Sequence, residues 1–168
     1  MSELAVRRIL VADREPEVRR ELADFFVMIG YQVDAAENGQ DVLSKAVAHD
    51  YAVALVDCRL SEDSGLEVLA ELSVSHPETS VIMLSAEPSL EIVIAALRKG
   101  AFDFVVKPFD LTELTEIVHK AADQHELLKM HQAVSAQMRQ GRDVNRQREV
   151  VSQKNSVRAS EPAKPDIP

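Results

Sequence analysis

The 168-residue chain is poor in aromatic residues and in cysteine: it has no tryptophan, two tyrosines, five phenylalanines and one cysteine. A single cysteine excludes an intrachain disulfide and is consistent with a reducing compartment. No apolar run approaches the roughly 20 residues of a membrane-spanning helix, and the N-terminus lacks the apolar stretch of a secretion signal. We therefore expect a cytoplasmic protein that does not act at a membrane.

An excess of positive charge is also absent, because the formal net charge is −9 at pH 7. Residues 1–126 hold 11 Lys and Arg against 24 Asp and Glu, whereas residues 127–168 hold 8 against 4. An acidic chain is not built to neutralise phosphates, and its basic C-terminal part has no interleaved aromatic residues. The composition therefore disfavours nucleic acid as a partner.

Common catalytic and metal-binding motifs are missing too. The sequence contains neither a P-loop nor a GxGxxG motif, and its five histidines lack the spacing of a metal site. Cys58 follows an apolar run, where an inert, small apolar side chain is the expected role. An enzyme with a substrate of its own is therefore disfavoured.

What the sequence does contain is five short, β-branched apolar segments separated by helical patterns: RRILVA, YQVDAA, YAVALVD, SVIMLS and FDFVVK. Strands that alternate with helices predict an α/β domain with a parallel sheet, because each return connection needs a covering helix. The continuous apolar runs of the third and fourth segments are typical of strands that are buried on both faces.

Polar side chains follow four of these strands. Asp13 follows the first strand, Asp57 the third, Ser85 the fourth and Lys107 the fifth. Right-handed connections bring the carboxyl ends of parallel strands to one edge, where open α/β sheets keep their sites. Two carboxylates, a hydroxyl and a cation are the groups needed to accept a phosphoryl group on a carboxylate and to stabilise its charge.

Four segments resemble, in order, the signature segments of bacterial response-regulator receiver domains (CheY-like): ILVADREPEVRRELADFF, VALVDCRLSEDSGLEVL, VIMLSAE and GAFDFVVKPFD. The resemblance covers residues 7–123. It implies the flavodoxin-like (βα)5 fold, a doubly wound parallel sheet with strand order 2-1-3-4-5. It also implies a role in a two-component phosphorelay, with a sensor histidine kinase or a phosphotransfer protein as partner.

The resemblance assigns roles to individual residues. Asp57 matches the phospho-acceptor, and Lys107 matches the lysine that pairs with the phosphoryl oxygens, followed by Pro108 after a cis peptide bond. Ser85 matches the switch hydroxyl, and Phe104 matches the aromatic residue that moves inward with it. Phosphorylation would then shift a two-state surface formed by helix four, strand five and helix five. The only catalysis implied is the domain's own phosphoryl transfer and dephosphorylation.

Two further positions bear on the lifetime of the phosphorylated state. Arg59 stands two residues after Asp57, and Glu87 stands two residues after Ser85, at positions that border the route of the attacking water in the family. Opposite charges that pair across the mouth of the pocket would slow hydrolysis. The alternative is two surface charges with no kinetic role.

The sequence departs from the family at the end of the first strand, where receivers place two adjacent acids. Asp13 occupies the first position, but Arg14 stands at the second, which in the family is the direct Mg²⁺ ligand. The expected magnesium ligands are Asp13, Asp57 and the backbone carbonyl of Arg59, a set weakened by Arg14.

Three alternatives are open for Arg14. In the first, its side chain points away from the pocket and leaves a weakened but working receiver. In the second, it replaces the metal as a built-in counter-ion. In the third, it clamps Asp57 and locks one conformation. The third alternative would make the chain a phosphorylation-independent pseudo-receiver that acts as a protein-interaction scaffold.

Helical patterning continues from Leu111 far beyond the receiver-like segment, with a loose heptad spacing. We expect a receiver domain at residues 1–125, a helical extension or coiled coil at 126–157, and a disordered tail at 158–168. The extension predicts a downstream protein partner, a homodimer through helix five, or a link to an effector domain outside this sequence.

Overall fold

The computed structural model describes residues 6–60, 63–160 and 162. Five strands form one sheet in the order β2-β1-β3-β4-β5, and all neighbouring strands are parallel. The strands are β1 (Arg8–Ala12), β2 (Gln32–Ala36), β3 (Val53–Asp57), β4 (Ser80–Ser85) and β5 (Asp103–Val106). The observed order confirms the predicted flavodoxin-like fold.

Five helices connect and follow the strands, and local sequence signals mark several of their starts. The side chain of Asn38 accepts a hydrogen bond from the Asp41 amide at 2.9 Å, and Ser89 accepts one from the Ile92 amide at 3.2 Å, so both residues cap a helix. The helices are α1 (Pro16–Met28), α2 (Gly39–Ala48), α3 (Gly65–Ser75), α4 (Leu90–Arg98) and α5 (Leu111–Ala159).

The two central strands, β3 and β4, are buried at every residue. In β3, Ala54 and Val56 pack into one core cluster with residues of α2 and α3, whereas Val53 and Leu55 pack into a second cluster with residues of α1 and α5. Successive side chains of a strand point to opposite faces, so helices cover the sheet on both sides. The prediction of strands buried on both faces is therefore confirmed.

The first part of α5 belongs to the same compact unit as the sheet, Met1–Leu128. Its buried residues face the second core cluster: Leu114, Val118, Ala121, Ala122 and His125. Arg7 forms ion pairs with Asp123 at 2.9 Å and with Glu126 at 2.8 Å. These contacts hold the start of the long helix against the domain.

A second unit, Lys129–Pro168, contains the remainder of α5 up to Ala159. Its larger apolar side chains are exposed, among them Met130, Val134 and Val151. The predicted domain boundaries stay a prediction, and most of the predicted disordered tail lies outside the described residues.

Across the described part of the chain, no helix combines the length and the apolar character that a membrane span requires.

Gly65, the first residue of α3, approaches the end of β3 closely. A Cβ atom added to Gly65 would stand 2.0 Å from the backbone carbonyl oxygen of Asp57, so the backbone would have to move. We expect Gly65→Ala to lower the free energy of unfolding by about 1–3 kcal/mol, measured by urea denaturation.

Gly141→Ala is the control for this substitution, because a Cβ atom at Gly141 meets nothing within 4 Å. This variant should not lower the free energy of unfolding, since alanine favours a helix more than glycine does. A Gly65→Ala protein that is as stable as the wild type would contradict the close packing of α3 on β3.

Candidate functional site

The sheet brings the four predicted strand-end residues to one edge. Asp57 and Ser85 are the last residues of β3 and β4, while Asp13 and Lys107 directly follow β1 and β5. Backbone hydrogen bonds continue the ladder past the strand ends: Cys58 donates to the Leu84 carbonyl and Lys107 to the Ser85 carbonyl, both at 2.8 Å. The backbone beneath these side chains is therefore fixed by the sheet.

The side chain of Lys107 joins the two carboxylates. Its Nζ donates to Oδ2 of Asp13 at 2.5 Å and to Oδ2 of Asp57 at 2.8 Å. The remaining oxygens accept from backbone amides, Oδ1 of Asp13 from Glu15 at 2.9 Å and Oδ1 of Asp57 from Arg59 at 3.0 Å. Asp13 is fully buried and Asp57 is 5% exposed, so each carboxylate depends on these donors for its charge.

Burial raises the pKa of the Asp13 carboxyl, and the nearby charge of Asp57 acts in the same direction. The hydrogen bonds from Lys107 and the Glu15 amide oppose this effect without cancelling it. Burial alone would lower the pKa of Lys107, but its two carboxylate partners hold it above the ordinary value. One protonated ammonium is therefore shared by two carboxylates.

A cavity of about 190 Å³ opens beside Asp57 and Ser85, and Arg14, Arg59 and Glu87 also line it. Ser85 is buried, and its Oγ accepts a hydrogen bond from the Glu87 amide at 3.2 Å. Asp57, the predicted phospho-acceptor, and Ser85, the predicted switch residue, therefore line a common space.

Cys58 and Phe104 are two further residues that the sequence singled out. Burial raises the pKa of the Cys58 thiol to about 11, aided by the Asp57 charge, so the thiol is protonated and unreactive at neutral pH. Phe104 is half-buried and packs against the core cluster that contains Ala54 and Val56. Its predicted inward movement stays a prediction.

The ion pair expected at the mouth of the pocket is present. Nη2 of Arg59 lies 2.8 Å from Oε2 of Glu87, and the two side chains are 63% and 73% exposed. The predicted pairing is therefore confirmed, whereas its effect on hydrolysis stays a prediction. Exposed pairs contribute about 0–1 kcal/mol, so any kinetic effect will be modest.

Three supporting contacts were not predicted from the sequence. Arg19 donates from Nη1 to the backbone carbonyl of Asp13 at 2.5 Å, and Asp63 accepts a hydrogen bond from the Gly39 amide at 2.9 Å. Gly65 lies against the backbone of Asp57. The sequence offered a signal for the third contact alone, because a glycine at the start of a helix indicates close packing. The contacts of Arg19 and Asp63 depend on loop geometry, which the sequence pattern does not give.

Fold and site together define a doubly wound α/β domain of the CheY-like class, with an acidic, lysine-bridged pocket at the carboxyl edge of its sheet. Residues 9–119 match the family of the response regulator receiver domain. The chain belongs to this family.

The sequence is similar to longer regulatory proteins. It is 38% identical over 141 residues to the regulatory protein AtoC of Escherichia coli, covering 82% of this chain and 31% of AtoC. It is 34% identical over 115 residues to the response regulator PilR of Pseudomonas aeruginosa, covering 68% of this chain and 26% of PilR. The chain thus spans less than a third of the length of these relatives.

Solved receiver structures have the same fold. A CheY-like receiver domain from Methanospirillum hungatei matches with a TM-score of 0.70 and 26% identity, covering 73% of this chain and 98% of that one. TrrA from Thermotoga maritima, solved in complex with Mg²⁺ and beryllofluoride, matches with a TM-score of 0.63 and 34% identity, covering 69% of this chain and 99% of that one.

Receiver domains generally bind Mg²⁺, but the residues of this pocket fit the ion poorly. Both carboxylates that would hold it, Asp13 and Asp57, already share Lys107, and the cationic residue Arg14 lines the cavity beside Asp57. Within residues 6–60, 63–160 and 162, no group of three or more His, Cys, Asp or Glu side chains could hold a metal. The predicted ligand set with the Arg59 carbonyl therefore stays a prediction.

The raised pKa of Asp13 gives a stability prediction with a definite sign. The folded state holds this proton more tightly than the unfolded chain, so the ionised carboxylate costs stability once the pH exceeds its folded pKa. We expect Asp13→Asn to raise the free energy of unfolding at about pH 7, on a scale of about 1.4 kcal/mol per pKa unit. The gain should shrink as the pH falls toward the ordinary value of 3.8, measured by urea denaturation.

Asp34→Asn is the control with the opposite sign. Burial would raise the pKa of Asp34, but hydrogen bonds from Tyr51 at 2.6 Å and Arg8 at 2.9 Å lower it overall. Ionised Asp34 therefore stabilises the fold above pH 3.8, and its loss should destabilise the protein at neutral pH. An Asp13→Asn protein that is less stable than the wild type at neutral pH would contradict the account of the pocket.

Proposed function

We propose that the chain is a phosphorelay response regulator that accepts a phosphoryl group on Asp57. The observation that carries this proposal is the Asp57 carboxylate itself, held 2.8 Å from Lys107 Nζ beside a cavity that Ser85 also lines. A nucleophile, a fixed cation and a hydroxyl then stand where the charge of a transferred phosphoryl group would develop.

The transfer is a displacement at phosphorus. A carboxylate oxygen of Asp57 forms a bond to phosphorus while the bond to the leaving group breaks, and the leaving group departs with the bonding electrons. The donor is the phosphohistidine of a sensor kinase or phosphotransfer protein, or a small acyl phosphate. Lys107 donates to the phosphoryl oxygens, and Ser85 adds a hydroxyl donor after a small rotation.

Phosphorylation would be communicated to a partner through the surface next to Ser85 and Phe104. Helix α4 lies beside β5, and exposed apolar side chains on the two elements, Leu97 at 54% and Val106 at 46%, support a binding role for this face. Movement of Ser85 toward the phosphoryl group, with Phe104 following inward, would alter this face. The altered face is the proposed output.

The long helix α5 supports a further output. The similarity to AtoC extends over 141 residues, more than the residues 9–119 that match the receiver family. We propose that α5 carries the signal to a downstream protein, to a second copy of the chain, or to an effector domain. Nucleic acid and membranes have no part in this proposal.

The acceptor role is tested by incubating the protein with acetyl phosphate in Mg²⁺ and in EDTA, followed by intact mass spectrometry. We expect the wild type to gain one phosphoryl group and Asp57→Asn to gain none. Asp24→Asn, a change of the same chemistry on the exposed surface of α1, should behave like the wild type. A wild type that gains no mass in either condition would leave the phosphorylation-independent scaffold as the function.

The ion pair at the mouth is tested by the lifetime of the phosphorylated protein. We expect Arg59→Ala to shorten that lifetime about two- to fivefold, the range that the energy of an exposed ion pair allows. Adding Glu87→Gln to Arg59→Ala should cause no further change, because the pair is already broken. An unchanged lifetime in Arg59→Ala would leave the two residues as surface charges.

A further inference from the structure

Arg14 lies at the mouth of the pocket, between the buried Asp13 and the start of α1. Arg14 is exposed and lines the cavity that Asp57 and Ser85 also line. The Glu15 amide donates to Asp13, which fixes the backbone on either side of Arg14. The backbone position of Arg14 is therefore set by the same turn that sets Asp13.

Arg14 and Arg59 are the two arginines that line this cavity. Arg59 is paired with Glu87, whereas the Arg14 side chain has no hydrogen bond or ion pair with any residue that the structure describes. In particular, it is not seen to clamp Asp57. Within the described residues, the positive charge of Arg14 at the edge of the cavity is therefore not paired with an acidic side chain.

The charges of the pocket indicate what this cation does. Asp13, Asp57 and Lys107 together carry two negative charges and one positive charge, a net charge of −1. Arg14 brings the formal total of these four residues to 0, whereas an acid at the same position would bring it to −2, the charge that one divalent cation offsets. The other charged residues that line the cavity are Glu15 and the ion pair of Arg59 with Glu87, and together they add one negative charge. A phosphoryl group on Asp57 replaces one negative charge with about two, which increases the demand for a cation.

We infer that the Arg14 guanidinium supplies the positive charge for phosphoryl binding at Asp57, so that this receiver is phosphorylated without a divalent metal. The inference rests on the proposed function. A guanidinium keeps its proton at physiological pH, and its planar donors match two oxygens of a tetrahedral anion. The ligand class is a phosphoryl group or its beryllofluoride mimic, bound by Arg14 and Lys107 together.

The test compares phosphorylation by acetyl phosphate in Mg²⁺ and in EDTA for the wild type, Arg14→Asp and Arg14→Gln. We expect the wild-type rate to be the same in both conditions to within about twofold. Arg14→Asp should lose at least about tenfold in EDTA, as expected for one charge-assisted hydrogen bond, and should recover in Mg²⁺. Arg14→Gln, which lacks both the cation and the acid, should be slow in EDTA.

Arg20→Asp is the matched control, since Arg20 is an exposed residue of α1 and the substitution changes the net charge equally. It should leave the rates in both conditions at the wild-type level. A second readout avoids phosphorylation: titration calorimetry with Mg²⁺ alone should show binding at least about tenfold tighter for Arg14→Asp than for the wild type.

The outcomes separate the two proposals. A wild type that is phosphorylated only in Mg²⁺, or an Arg14→Asp protein that is as active in EDTA as the wild type, would overturn the role of Arg14 and leave Asp57 as the acceptor. The absence of phosphorylation in every protein and both conditions would overturn the proposed function, and with it the inference.

Discussion

The pocket depends on the hydrogen bonds between Nζ of Lys107 and the carboxylates of Asp13 and Asp57, at 2.5 and 2.8 Å. Two carboxylates this deeply buried repel one another unless a cation lies between them. The cation follows β5 at the edge of the sheet and reaches the ends of β1 and β3 across the end of β4. The strand order and register therefore allow two buried carboxylates to share one cation.

One ammonium is shared by two carboxylates in this pocket, and Arg14 stands where the resemblance to receiver domains predicts an acid. Lys107 is the one side chain seen to donate to these two buried carboxylates within the described residues. In the proposed mechanism, the positive charge of Arg14 at the mouth offsets the remaining negative charge of Asp13, Asp57 and Lys107 without a bound metal. The proposed acceptor chemistry and the proposed metal independence thus have one electrostatic origin.

The fold and the composition of the site could be predicted from the sequence, whereas their fine geometry could not. Apolar segments alternating with helices specify a parallel sheet, and a parallel sheet brings Asp57, Ser85 and Lys107 to one edge whatever the loops do. The ion pair of Arg59 with Glu87 was also predictable, because both residues follow strand ends by two positions.

The sharing of Lys107 by two carboxylates depends on rotamers and distances of a few tenths of an ångström, which no residue pattern encodes. The orientation of Arg14 was undetermined for the same reason.

The most direct test of this account is a crystal structure of the beryllofluoride complex grown in the presence of Mg²⁺. The account predicts beryllium on a carboxylate oxygen of Asp57, with fluorine atoms held by Lys107 and Arg14 and no metal beside Asp13. A magnesium ion bound between Asp13 and Asp57, with the Arg14 side chain turned to solvent, would contradict it.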